Sequence, residues 1–382
     1  MLKYFKVQNF LSFDNETIFG LRPNCNLRSI KNKDGFYLPK QTENRLSNLA
    51  LIYGANASGK TNLIKAIQFL ERLMTQSFFI PQDYNLLDID RGFLPFGHNH
   101  SIPTKFEICY LLNDQNWVYK ITIEGDAKNK TITQESLTCN RKEIFTRTTD
   151  TKLYRFVTEF SYRVADNDSE ITKIIEFIDS NFVNQDFGVG DAIIPEHSST
   201  LFYYKNPEYL AKVVDILKKF DIGLNDIKIV ETTNPEEPEK FSLKVYGVHS
   251  FGSLRFNKYE SQGTKSLFYK ILLPVITALD NGHTVYVDEI DCNIHSHILE
   301  EIIKLFVQKE TNPKNAQLIA TLHDVNMMNL DQVSKRQIYF VEKQNNGSSE
   351  IFSLGDFDLT ASKLNYSERY LTGKLGALPF LT

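Results

Sequence analysis

At 382 residues, 42% hydrophobic and 24% charged, the chain has the composition of a soluble globular protein with material for one large core or two modest ones. A net charge of −4 gives no basic footprint for tight nonspecific DNA binding, so nucleic acid is a partner the charge balance does not indicate. The four cysteines (Cys25, Cys109, Cys139, Cys292) form no C-x-x-C pair, no apolar run is long enough to span a membrane, and Met1–Lys6 lacks a signal-peptide core; a structural zinc site, a disulfide framework and a membrane partner are therefore not expected, and the cytoplasm is the expected compartment.

Residues 1–20 alternate like a strand (Phe5, Val7, Phe10, Leu11, Phe13), and Phe10-Leu11-Ser12-Phe13 is a compact aromatic patch. The polar stretch 22–47, with Lys31-Asn32-Lys33-Asp34-Gly35, reads as a surface loop. Leu49–Tyr53 is apolar and fits a buried strand, and Leu63, Ile64, Ala66, Ile67, Leu70, Leu73 and Met74 recur at helical spacing. Between them, Gly54-Ala55-Asn56-Ala57-Ser58-Gly59-Lys60-Thr61, followed by Asn62, fits G-x-x-x-x-G-K-[ST] at every fixed position. In a strand–loop–helix setting this is a phosphate cradle. Its N–H groups and the helix dipole face an anion, Lys60 reaches the β- and γ-phosphates of ATP, and the Thr61 hydroxyl ligates Mg²⁺. After an irregular stretch from Pro81 to Pro103, strands are expected at Lys105–Leu111 and Trp117–Ile123, with a hairpin turn at Asn113–Asn116, and another strand at Leu137–Phe145.

The pattern changes near residue 150. Ile171, Ile174, Ile175 and Ile178 form one helical stripe, and Leu210, Val213, Val214, Leu217 and Phe220 form another. They precede a polar loop, Asn234–Glu239, and no sustained heptads indicate a coiled-coil arm. From Phe241 strands and helices alternate again, which predicts a discontinuous α/β head: residues 1–150 and 241–382, a mixed sheet with flanking helices, enclosing a mostly helical insertion at 151–240.

Three further motifs lie in the last segment. Glu260-Ser261-Gln262-Gly263-Thr264-Lys265 opens an apolar helix (Leu267, Ile271, Leu272, Val275, Ile276, Leu279), and Ser261 and Gly263 at its start suit an anion. Val285–Asp291 is an apolar strand ending in carboxylates, from which Asp288 can hold Mg²⁺ through water and Glu289 can polarise an attacking water. Gln317–Asp324 is a strand that delivers His323 to its carboxyl end as a γ-phosphate sensor.

The order P-loop, signature, acidic strand and histidine resembles the ABC/SMC/RecF class of ATPases, and more closely the RloA-like ATPases linked to bacterial anti-phage and abortive-infection systems. The resemblance runs the full length: Val7–Phe13, Ile52–Leu63, Pro103–Ile108, Glu260–Lys265, Asp288–Asp291 with Ile294-His295, and the closing Tyr370–Pro379. It implies a head-to-tail homodimer in which Ser261 and Gly263 of one copy cap ATP on the other. Because the chain ends at that closing motif, no nuclease domain is expected here, as it is in the related overcoming-lysogenisation nucleases. The effector, a nuclease or toxin, would be separately encoded. Thr264 stands where an ABC signature usually has Gln, Leu322 where relatives often have Thr, and Ser296 where a proline often follows the histidine; Gln82 and Gln115 are the candidates for a Q-loop glutamine. These departures bear on hydrolysis rate, so an ATP-dependent scaffold or sensor with negligible turnover is the alternative, with a RecF-like DNA repair ATPase as a third reading.

Other groupings have plainer explanations. His98-Asn99-His100 spells HNH, but nuclease ligands are dispersed over a ββα unit rather than adjacent. His295 and His297 beside Asp291 are expected to diverge on a helix start, which favours a dimer-interface role for His295 over a metal site. Phe78-Phe79 and Phe202-Tyr203-Tyr204 are read as core packing rather than nucleobase stacking.

Overall fold

The computed structural model describes residues 1–23, 35–39, 42–79, 86–87, 93–126, 129–148, 157–166, 168, 171, 174, 178, 195–220, 222–234, 237–357 and 365–378. Its strands, in chain order, are β1 (Leu2–Gln8), β2 (Thr17–Gly20), β3 (Phe36–Tyr37), β4 (Leu46–Ser47), β5 (Leu49–Tyr53), β6 (Thr104–Leu112), β7 (Gln115–Gly125), β8 (Lys130–Cys139), β9 (Lys142–Thr148), β10 (Asp226–Asn234), β11 (Glu237–His249), β12 (Gly252–Arg255), β13 (Thr284–Val287), β14 (Gln317–Thr321), β15 (Ile338–Lys343) and β16 (Ser349–Ser353). Its α-helices are α1 (Lys60–Gln76), α2 (Glu159–Ala165), α3 (Pro195–Lys205), α4 (Pro207–Lys219), α5 (Phe256–Tyr259), α6 (Gln262–Ser266), α7 (Leu272–Asn281), α8 (Ser296–Val307) and α9 (Tyr366–Leu371).

A five-stranded sheet, ordered β13-β14-β5-β15-β16, forms the centre. Its first four strands are parallel and β16 runs antiparallel to β15. All five residues of β5 are buried, as a strand covered on both faces requires. Because successive side chains point to opposite faces, Leu49, Leu51 and Tyr53 enter one core while Ala50 and Ile52 enter the other.

The second core lies between this sheet and an antiparallel six-stranded sheet, ordered β2-β1-β6-β7-β8-β9. Register places Phe5, Ile108, Tyr119, Leu137 and Phe145 side by side across five strands, all buried in that core. Helix α1 packs between the sheets through Leu63, Ile67, Leu70, Leu73 and Met74. The aromatic patch is part of this packing: Phe10 and Phe13 exchange backbone hydrogen bonds, and the Phe10 ring meets Phe69 and Phe106, each at 5.0 Å.

The expected strand at Leu137–Phe145 is instead the end of β8 and most of β9, joined by Asn140 and Arg141 at positive φ. Alternating polarity reads alike on both sides of a two-residue turn, so the break was hidden. The hairpin after β6 is present, with Asn113 and Asp114 in its turn at φ 50 and 59. Of the polar stretch Asn234–Glu239, Asn234 pairs with Glu237 at the end of the antiparallel β10–β11 ladder, which with β12 makes a three-stranded sheet, and Pro235 and Glu236 lie outside the described residues. Within 151–240 the two helical stripes enter different cores. Ile171, Ile174 and Ile178 join the core beneath the antiparallel sheet, while Val213, Val214 and Leu217 join the other. Ile175, Cys25, Lys31–Asp34, much of Pro81–Pro103 and Pro379 lie outside the described residues.

Candidate functional site

Glycine is required twice in the loop between β5 and α1. Gly54 has φ 151, and a Cβ there would lie 2.3 Å from the Val341 carbonyl oxygen; Gly59 has φ 110, and its Cβ would lie 2.2 Å from Ser349 Oγ. The loop is thus held close against β15 and β16. Helix α1 begins at Lys60 without a side-chain cap, so its first N–H groups are left for another acceptor. The Ser58 and Ser12 hydroxyls are buried with no hydrogen-bond partner. Both sit against the loop glycines, 2.7 Å from Cβ positions built on Gly54 and Gly59 respectively. Uncapped N–H groups, orphaned hydroxyls and a backbone cradle fit a phosphate chain. Lys60 Nζ donates to the carbonyls of Gly54 (2.8 Å) and Ala55 (3.1 Å). Asn56 and Ala57 are exposed, and Thr61 and Asn62 half-buried.

Since β13, β14 and β5 are parallel, their carboxyl ends share one edge, which brings the acidic motif to the P-loop. Burial lowers the Lys60 pKa, and the carboxylates of Asp288, Glu289 and Asp291 oppose that shift. Asp288 and Glu289 are both exposed. Thr321, at the end of the intervening strand β14, donates its hydroxyl proton to Asp288 Oδ1 and accepts the Glu289 N–H at 2.7 Å. Its carbonyl accepts the Ile290 N–H at 3.0 Å. This threonine fixes the turn in which Glu289 takes φ 50.

Asp291 Oδ2 accepts the backbone N–H groups of His323 and Asp324, each at 2.7 Å, so the histidine's main chain is anchored while its side chain is exposed. Asp324 is held in turn by the Ser296 hydroxyl and by Asn326, so the serine found where a proline was usual has a partner. Leu322 is buried in the core.

Ser261 is the N-cap of α6, and its hydroxyl oxygen accepts the Thr264 N–H at 3.1 Å and meets Thr264 Oγ1 at 2.8 Å. A Cβ on Gly263 would lie 2.3 Å from the Asn293 carbonyl, so the signature helix is seated on the loop after the acidic motif. Helix α6 runs through a π-turn, Leu267–Ile271, into α7. There Leu272 N–H reaches back to the Leu267 carbonyl, and Pro274 two residues on lacks an N–H. The Phe268 and Tyr269 carbonyls of this turn accept the Tyr203 and Ser199 hydroxyls of α3 at 2.8 and 2.9 Å. The sequence singled out every P-loop and acidic residue, but not the supporting roles of Thr321, Asp291 and Ser12. A threonine four residues into a strand has no distinguishing signal until its neighbour is known.

The two histidines do not diverge as expected: His295 is the extended N-cap of α8, and its ring meets His297 at 5.0 Å. Among the described residues no group of three or more His, Cys, Asp or Glu side chains converges as metal ligands would. The Asn99 carbonyl accepts the Asn9 side chain. Tyr203 is a core residue stacked on Phe268 at 4.7 Å, whereas Phe78 and Phe79 are exposed. Gln115 is exposed at the start of β7, and Gln82 lies outside the described residues. Among the described residues no helix is long and apolar enough to cross a membrane.

A family model described as "AAA domain, putative AbiEii toxin, Type IV TA system" matches residues 49–329. Among solved structures, an Smc head bound to the C-winged helix domain of ScpA is 15% identical, with 92% of this chain and 97% of that chain covered and a TM-score of 0.51. An Smc head with coiled coil and joint derived from Pyrococcus yayanosii is 11% identical, covers 98% and 99%, and has a TM-score of 0.50. At these identities the likeness establishes the fold alone, that of an Smc head. No curated protein sequence matches the chain.

Proposed function

The chain belongs to the AAA-domain family described as a putative AbiEii toxin of a type IV TA system, and from that premise we propose that it is an ATPase that works as a head-to-tail dimer. The observation that carries this reading is the shared carboxyl edge of the parallel strands β5, β14 and β13, where the P-loop lysine feels the charges of Asp288, Glu289 and Asp291 and Thr321 joins Asp288 to the Glu289 backbone.

Residues Gly54 to Asn62 would bind the triphosphate: backbone N–H groups and the Ser58 hydroxyl face its oxygens, and Lys60 leaves the loop carbonyls for the β- and γ-phosphates. Thr61 and Asp288 would hold Mg²⁺, which supplies neutralisation of charge on the phosphate oxygens. Glu289 would orient and polarise the attacking water, and exposed His323 would donate to the γ-phosphate. Ser261 and Gly263 would complete the pocket on a second copy, with the α6 N-terminus directed to that copy's phosphates. The dimer would then switch a separately encoded effector in anti-phage defence. The family's description also supports a second reading, in which this chain is itself the toxic component.

Turnover and dimer state in wild type, Lys60→Ala and Glu289→Gln test the proposal. Lys60→Ala should lose nucleotide binding, and Glu289→Gln should bind ATP, hydrolyse it slowly and accumulate as a dimer. Undiminished turnover in Glu289→Gln refutes its assigned role. Growth arrest on expression of the chain alone, abolished by Lys60→Ala, would select the second reading over the first.

A further inference from the structure

A short C-terminal segment is bonded directly to the P-loop. The Ala55 N–H donates to the Ala377 carbonyl at 3.0 Å, so the second residue of the phosphate loop is tied to the chain's end. That carbonyl also accepts the Tyr370 hydroxyl at 3.1 Å, and the Ala377 N–H donates to Glu342 Oε1 at 2.7 Å. Glu342 lies on β15, the strand beside β5. Tyr370, Leu375 and Ala377 are buried in the core that contains Tyr53, and the Tyr370 ring stacks on Phe340 at 5.3 Å. Helix α9 is fastened by Asn329, whose side chain meets Asn365, Ser367 and the Tyr366 N–H.

We propose that residues 370–378 are a tether that sets the P-loop for nucleotide, with Glu342 and Tyr370 as positioning residues, a role that rests on the nucleotide-binding reading of that loop. The Ala55 peptide unit is the point of leverage. Its residue gives its N–H to the tether, while its carbonyl accepts both the Ser58 N–H (3.2 Å) and Lys60 Nζ (3.1 Å). Holding Ala55 therefore orients the turn that carries Ser58 and the parked position of Lys60. Without the tether the Ala55 N–H turns to water, and the loop samples conformations that nucleotide must reorder on binding. Glu342 acts two steps removed: its charge-assisted bond to the Ala377 N–H holds the segment in the positive-φ conformation (φ 57) that aims the carbonyl at Ala55.

The test uses the full chain as Glu342→Ala, Glu342→Gln and Tyr370→Phe. Hydrogen exchange without nucleotide should quicken across 53–59 and 370–378 in Glu342→Ala and Tyr370→Phe, and stay near wild type in Glu342→Gln, whose amide oxygen can still accept. Affinity for a fluorescent ATP analogue, and KM, should weaken by about three- to tenfold with kcat retained, the range expected for one or two net hydrogen bonds. Unchanged exchange at 53–59 in Tyr370→Phe, which keeps the ring and its stacking, overturns the tether even if Glu342→Ala does not fold. Faster exchange with unchanged affinity overturns its role in nucleotide binding. A wild-type chain that binds no ATP defeats the nucleotide reading, and the exchange result then decides the tether alone.

Discussion

The Thr321 hydroxyl donates to the Asp288 carboxylate while accepting the Glu289 N–H at 2.7 Å, so one side chain on β14 fixes the Asp288 carboxylate and the Glu289 main chain just after β13. Thr321→Val keeps the shape and removes both bonds. Losing one neutral and one charge-assisted hydrogen bond costs about 1–3 kcal/mol, enough for a loss of about tenfold or more in kcat if Glu289 is the group that aligns water. Thr321→Ser should recover most of it. Nucleotide affinity unchanged beside a reduced kcat would separate this positioning effect from misfolding.

Gly263 packs against the Asn293 carbonyl with no room for a methyl group, although its backbone is not at positive φ. The constraint is steric, so Gly263→Ala must displace the signature helix or the 293 loop, at a cost of about 1–3 kcal/mol. Its expected signature is a lower melting temperature together with weakened ATP-dependent dimerisation, read by light scattering. Normal dimerisation in this variant would count against α6 as a contact surface.

The π-turn before α7 uses α3 to satisfy two of its carbonyls. Tyr203→Phe leaves the Phe268 carbonyl without that donor in the core and should lower stability by about 1–2 kcal/mol in urea unfolding. Ser199→Ala should behave alike at the neighbouring carbonyl. Stability equal to wild type in both variants would mean that the turn finds other donors.

Burial lowers the His283 pKa from 6.5 to about 4, helped by the positive charge of Lys314. The unfolded chain then binds the proton more tightly than the native one between these values, so the contribution is present above pH 6.5 and is lost as pH falls toward 4. The urea midpoint of wild type should drop more between pH 7 and pH 5 than that of His283→Gln. Parallel declines would assign the acid sensitivity to other groups.

The P-loop, the acidic strand and the alternating core faces were legible in the sequence because each is local. Glycine spacing, carboxylates at a strand end and two-residue periodicity are all set within a few residues. Leu49–Tyr53, for example, declared a doubly buried strand by having no polar face. What sequence could not decide was adjacency. The strand order β13-β14-β5 puts Thr321 between two motifs it is distant from in sequence, and the packing of the chain's end brings Ala377 to Ala55. Neither carries a local pattern, since any threonine can end a strand and any backbone carbonyl can accept. The β8–β9 turn and the β10–β11 hairpin were missed for the complementary reason, that polarity alternates unchanged through a tight turn and pairing partners are chosen by the sheet. The sequence therefore determined which residues are the candidates for the chemistry, and the tertiary structure decided which others hold them in place.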